Sequence, residues 1–187
     1  MHKITPSHCT SYASPLGTMW LAASQLGLCG VWFEGQAHAP RWAASAHDPA
    51  SAAPGSTGAV APPSSPRPQP DPNHPVLQAT AAWLDRYFQG QAPDQLPPLD
   101  ARIGTDFQRA VWQALRTIPP GATRSYGELA RAIGRPKAQR AVGAAVGRNP
   151  WSVLVPCHRV LGQGGALTGY AGGLARKQAL LALEGVQ

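Results

Sequence analysis

Residues 156–159 read Pro-Cys-His-Arg. A thiol attacks as its thiolate, which needs nearby positive charge, a base or a helix N-terminus. His158 and Arg159 bring a base and a charge next to Cys157. Val153, Leu154 and Val155 predict an extended apolar run leading into the motif. Neighbouring side chains on an extended strand point to opposite faces. A direct Cys157–His158 contact therefore needs an irregular backbone, which Pro156 permits, or a bridging water. Downstream, Gly162, Gly164, Gly165, Gly169, Gly172 and Gly173 predict a mobile, close-fitting loop with one aromatic, Tyr170. A last helix from about Leu174 buries Leu180, Leu181 and Leu183. Glu184 near its end is a natural partner for His158, fixing its tautomer and raising its basicity. The plainer alternatives are a buried structural thiol and an exposed terminal carboxylate. The polar, basic neighbours of Cys157 weigh against the first.

The elements before the motif carry clear helix signals. Thr105-Asp-Phe-Gln108 and Ser125-Tyr-Gly-Glu128 are capping boxes, in which hydroxyl and N3 side chain each satisfy an orphan amide. Phe107, Val111, Ala114, Leu115 and Ile118 form the buried stripe of the first helix, and Pro119-Pro120-Gly121 stops it. Leu129, Ala130 and Ile133 face inward on the second, which ends at Gly134. A third helix is predicted over 136–147, with Pro136 at its start. Helix, tight turn, helix is the helix-turn-helix arrangement. The second of these helices is nearly bare: Ala138, Ala141, Gly143, Ala144, Ala145 and Gly147, with Arg140 standing in the middle. A major-groove reader carries several polar side chains to sort base edges. Small residues instead allow close backbone approach, as in a narrow minor groove. Two readings of this helix stand level: sequence-independent DNA binding with one arginine in a special role, or a core helix packed through small residues.

Charge separates the halves. Net charge is +7 over 187 residues, and residues 101–187 hold twelve Lys/Arg against Asp106, Glu128 and Glu184. Such a half attracts polyanions. In residues 18–33, Met19, Leu21 and Ala23 alternate, and Leu28, Val31 and Phe33 resume after a turn at Gln25–Gly27. This predicts two short strands of a small antiparallel sheet, preceded by a turn at Ser14–Gly17. Residues 43–75 are Ala, Pro, Ser or Gly at 24 of 33 positions, a composition that cannot offset the entropy of ordering. It predicts a flexible linker. Pro75 then opens a helix to about 89, with Leu77, Ala81, Leu84 and Phe88 on one face. Cys9, Cys29 and Cys157 form no disulfide pattern and fit a reducing compartment. No run approaches the eighteen or so apolar residues of a membrane span, and the N-terminus has no apolar signal region. The expectation is an α+β chain acting in the cytoplasm. Residues 1–100 would form an N-terminal unit of sheet, helix and linker; residues 101–187 would form a mostly α unit with a winged-helix-like helix-turn-helix.

The string PCHRV resembles the active-site motif of the O6-alkylguanine-DNA alkyltransferases. The likeness extends through GTDFQRAVWQAL, IPPGATRSYGELA, IGRPKAQRAVGAAVGRNP, GYAGG and LLALEG, about residues 103–185. SPLG and the strands after it resemble the family's N-terminal domain more weakly. The resemblance implies direct-reversal DNA repair. The damaged guanosine is flipped out of the duplex through the minor groove, because an atom inside the stack cannot be reached. Its O6-alkyl group passes irreversibly to cysteine in a single turnover. Cys157 would be the acceptor, His158 its base through a water, and Glu184 the group orienting His158. Tyr126 would contact the flipped guanine and stabilise the leaving purine anion. Arg140 would fill the gap in the stack, with Ala138, Ala141 and Gly143 beside it on the DNA. Asn149 would organise the turn before the cysteine. The Val160 carbonyl, Tyr170 and the backbone at Ala171 would line the guanine pocket. Double-stranded DNA carrying O6-alkylguanine is the implied partner, with O4-alkylthymine a further substrate and the protein a monomer; cooperativity on DNA stays open.

Three features depart from that pattern or bear on it. The 43–75 segment is longer and richer in proline than the family core requires. Ser24 stands where a zinc-binding cysteine is expected in some members, and Cys29 where a histidine is expected. No metal and no cofactor are therefore expected, and His8, Cys9 and Cys29 lack zinc-type spacing. With no activator domain in front, a stand-alone repair protein is expected. Three rivals remain. A lesion binder of the same fold would lack the acceptor cysteine. A helix-turn-helix regulator would carry a polar recognition helix. A cysteine hydrolase would need an oxyanion hole and repeated turnover.

Overall fold

The computed structural model describes residues 5–44, 67–91, 93 and 95–186. The N-terminal half is a sheet of order β3-β2-β1-β4. Strands β1 (His8–Ser14), β2 (Gly17–Ser24) and β3 (Gly27–Phe33) run antiparallel, and the two-residue β4 (Gln69–Pro70) lies parallel to β1. Apolar alternation marks β2 and β3 but not β1. Residues 8–14 are mostly Ser, Thr, Tyr and other small or polar types, so they show no apolar alternation. They are held by full pairing with β2, from His8 opposite Ala23 to Ser14 opposite Gly17.

One face of the sheet is the main core: Met19, Leu21, Ala23, Leu28, Val31 and Phe33 pack against α2 (Pro75–Phe88) and the C-terminal half. The other face is also covered, which is why β3 is buried throughout. Trp42 of the short α1 (Arg41–Ala44) sits edge-on to Trp20 and Trp32, with ring centroids 6.3 and 5.9 Å apart. The expected linker needs correction at both ends. Ala43 is buried in α1. From residue 67 onward the chain is built into the fold, because Gln69 N–H donates to Ser7 O and Asp71 N–H to Cys9 O. Residues 45–66 of that segment lie outside the described ones.

The C-terminal half packs α3 (Asp106–Arg116), α4 (Tyr126–Ala132), α5 (Gln139–Gly147) and α6 (Leu174–Leu183). Both capping boxes are present at the residues that announce them. α5 begins at Gln139 rather than Pro136; residues 136–138 form a turn in which Ala138 N–H bonds Arg135 O. Trp112 of α3 donates its indole N–H to Ala145 O of α5 at 2.9 Å, locking the two helices. β5 (Arg124–Ser125) and β6 (Val160–Leu161) pair in parallel and tie the start of α4 to the cysteine motif. No helix among the described residues is long and apolar enough to cross a membrane.

Candidate active site

The cysteine is delivered by a buried turn, not by the extended run predicted at 153–155. Val153 has φ +72°, in the left-handed region that β-branched residues avoid. Two things hold it there. The outer edge of β3 takes the turn as an extra bridge: Val31 N–H bonds Pro150 O, and Ser152 N–H bonds Val31 O. Inside the turn, the Asn149 amide donates to Val155 O at 2.8 Å and Trp151 O at 3.3 Å, and its oxygen accepts from Trp151 N–H at 3.1 Å. The same amide reaches Cys157 Sγ at 3.1 Å. The two carbonyls also accept from Val155 N–H and Cys157 N–H, so Asn149 adds a second bond to each, supplies the acceptor for the buried Trp151 N–H, and also fixes the sulfur.

Cys157, His158 and Arg159 form one turn of 3-10 helix. His158 and Arg159 both reach Glu184, while Cys157 is held by Asn149. Burial pushes the Cys157 thiol up, while the Asn149 hydrogen bond and the Lys177 charge pull it back. The resting group is a thiol awaiting a base. His158 is fully buried, and burial pushes its pKa down. Its Nε2 lies 2.9 Å from Glu184 Oε1. Burial opposes ionisation of Glu184, but hydrogen bonds from His158, Arg159 and Tyr87 outweigh it and hold the carboxyl at about 2. An ionised carboxylate only accepts, so Nε2 carries the proton and Nδ1 is left as a lone pair. That buried Nδ1 makes no hydrogen bond to any described protein group.

Glu184 is buried at the C-terminus of α6, not the exposed charge of the plainer reading. Two of its partners were not foreseen. Arg159 donates through Nε at 2.7 Å and Nη2 at 2.8 Å, and its Nη1 donates to Ile118 O. It anchors the carboxylate rather than activating the thiol, the role its position beside Cys157 first suggested. The Tyr87 hydroxyl from α2 donates at 2.7 Å. A third unforeseen residue is Lys177, fully buried on α6. Its ammonium donates to Thr168 O at 2.6 Å and to Val160 O and Gly169 O, and desolvation lowers its pKa to about 8. It pins the glycine loop to β6. Arg159 and Tyr87 had weak sequence signals, in the motif itself and one turn after Trp83. Lys177 had none, since a lysine on a terminal helix reads as solvent-facing.

Tyr126 opens α4 with its ring over Gly143 of α5, where a Cβ would lie 3.7 Å away, and its hydroxyl beside Gly169. Burial raises its pKa, and a Cys157 thiolate would push both Tyr126 and Tyr170 the same way. Val160 is fully buried with its carbonyl on Lys177; Ala171 is half-buried and its carbonyl accepts from Ala37 N–H at 2.9 Å. The bare helix has an outer face: Arg140, Ala141, Ala144 and Arg148 are exposed, while Ala138, Gly143 and Gly147 are half-buried. At the other end of the sheet, Ser24 donates to Asp100 Oδ2 at 2.7 Å, and burial holds the Cys29 thiol up at about 11. His8 pairs with Asp71, and no group of three metal-ligating side chains occurs among the described residues.

Residues 7–100 match the ribonuclease-like domain, and residues 106–186 the DNA binding domain, of 6-O-methylguanine DNA methyltransferase. This chain belongs to that family. A methylated-DNA–protein-cysteine methyltransferase of Mycobacterium tuberculosis is 55% identical over 115 residues, covering 62% of this chain and 68% of the relative. One of Salmonella typhimurium is 65% identical over 82 residues, 44% and 48% of the two chains. The crystal structure of Mycobacterium tuberculosis OGT in complex with DNA superposes with TM-score 0.74 at 41% identity, over 95% of this chain and 92% of that one. The chain is a DNA-repair methyltransferase acting by direct reversal, and DNA is its partner.

Proposed function

We propose that Cys157 is the alkyl acceptor and that the protein removes one alkyl group from O6 of guanine per molecule. The lesion nucleotide leaves the stack through the minor groove as Arg140 takes its place. The Cys157 proton passes through a water to His158 Nδ1, whose acceptor state is set by Glu184. Sulfur then attacks the alkyl carbon in line. The S–C bond forms, the C–O6 bond breaks, and the electron pair stays on the purine, where the Tyr126 hydroxyl stabilises it. The thioether has no route back, so turnover stops at one.

The observation that carries this reading is the Glu184–His158 pair, which leaves Nδ1 unengaged on the residue that follows a thiol held by Asn149. Val160, Tyr170 and Ala171 are assigned to the guanine pocket, with O4-alkylthymine as a second substrate. Asn149 positions the acceptor. Ala138, Ala141 and Gly143 form the surface that approaches DNA. The protein would act as a monomer in the cytoplasm, with residues 1–100 and 101–187 as its two units. Incubation with an O6-methylguanine oligonucleotide tests this: peptide mapping should place a methyl group on Cys157, and Cys157→Ala should take none.

A further inference from the structure

A hollow of about 210 Å³ opens beside Tyr126, and its lining comes from three places. Tyr126, Tyr170 and Ala171 form one side, and Gly143 and Gly147 of α5 another. The third is Ala37 and His38, from the loop between β3 and α1 in the N-terminal half. This loop is fixed, not incidental. Gln36 is buried, and its side-chain oxygen accepts from Phe33 N–H at 3.1 Å and from Ser152 Oγ at 2.8 Å. Ala37 N–H donates to Ala171 O. One loop is therefore hydrogen-bonded both to the turn that carries Cys157 and to the glycine loop. Its next residue, His38, has φ +65°, one of two non-glycine residues in the left-handed region among those described; the other is Val153 of the cysteine turn. His38 is exposed and makes no hydrogen bond or ion pair among the described residues. Strained positions of this kind cluster at ligand clamps.

We propose that His38 is a substrate-contacting residue at the mouth of the nucleotide pocket. Its imidazole donates a hydrogen bond to the sugar–phosphate backbone of the extrahelical nucleotide. This rests on the proposed function, which brings that nucleotide past Tyr126. The geometry gives the reason. The bare face of α5 admits the groove, Tyr126 lies against Gly143, and His38 lines the same hollow as both. A nucleotide swinging from groove to sulfur passes between them. The base itself goes deeper, so His38 meets the backbone, which a free base lacks.

The test compares single-turnover alkyl transfer from an O6-methylguanine duplex with transfer from free O6-benzylguanine. His38→Ala and His38→Gly should each lower the duplex-to-free-base rate ratio by about tenfold or more, the loss of one hydrogen bond to a charged acceptor. His38→Gly relieves the left-handed strain, so a change shared by both variants is not a folding effect. His38→Asn, which tolerates that conformation and keeps a donor, should restore most of the ratio. A wild-type ratio in His38→Gly, or equal losses on both substrates, overturns the proposal. Failure of the wild-type protein to take an alkyl group from either substrate overturns the acceptor reading instead.

Discussion

The Cys157 centre and the outer face of α5 are built on opposite terms. Around the sulfur the polar side chains are buried and, except for His158 Nδ1 and the Tyr170 hydroxyl, hydrogen-bonded: His158, Arg159, Tyr87 and Glu184 form one network, and Asn149 and Lys177 each hold their own backbone carbonyls. On α5 the chain offers Ala141, Ala144 and Gly143 with one exposed Arg140. Displacement at carbon needs a desolvated nucleophile and a base fixed in one tautomer, and only dense hydrogen bonding supplies that. Finding a lesion in any sequence needs backbone approach without base readout. There, side chains would obstruct. The two regions meet at Tyr126, whose ring crosses Gly143.

That division predicts which substitutions act on both substrates and which on duplex alone. The largest effect belongs to Glu184→Gln. It should slow transfer to duplex and to free O6-benzylguanine alike, by about 10²-fold or more. It should also destabilise the fold by about 3–5 kcal/mol, since Arg159 is left buried without its partner; denaturant titration measures this. Asn149→Ala comes next, with about 1–3 kcal/mol lost as the buried Trp151 N–H goes unpaired and slower transfer on both substrates. Arg140→Ala should act on duplex alone, about tenfold or more if the arginine holds the opened stack, and a matching loss on free base would erase the contrast. Thr105→Ala should cost about 1 kcal/mol through the lost cap and leave both rates as they are.

Acid sharpens the same contrast. The His158 pKa is lowered by burial from 6.5, so below that value the unfolded chain binds a proton the fold does not. The Glu184 pKa is lowered from 4.5 to about 2, so a second loss of stability follows between those values. Stability should fall as pH drops through both windows, and in Glu184→Gln the lower step should shrink.

The sequence was most readable where local chemistry is decisive. Thr105 and Ser125 announce their helices, Pro75 opens α2, and the alternation of Met19, Leu21 and Ala23 marks β2. It was least readable where distant partners decide. β1 exists because β2 pairs with it, and β4 because Ser7 and Cys9 present free backbone groups to residues 69–71. The 153–155 turn is imposed by Asn149 and the β3 edge, overriding the strand preference of two valines. In the site, Glu184 meets His158 as their residue types suggest, and Asn149 meets Cys157, a placement that only the family resemblance implies. Tyr87, Lys177 and Arg159 acquire their roles only through contacts that no periodicity encodes.

The central claim is that one sulfur atom takes the lesion's carbon and keeps it. Intact-protein mass spectrometry after exposure to excess O6-methylguanine duplex tests it most directly. A single methyl adduct should appear on every active molecule, localised to Cys157, with no second round of repair. Restored guanine without a mass change, or continued repair by Cys157→Ala, would contradict it.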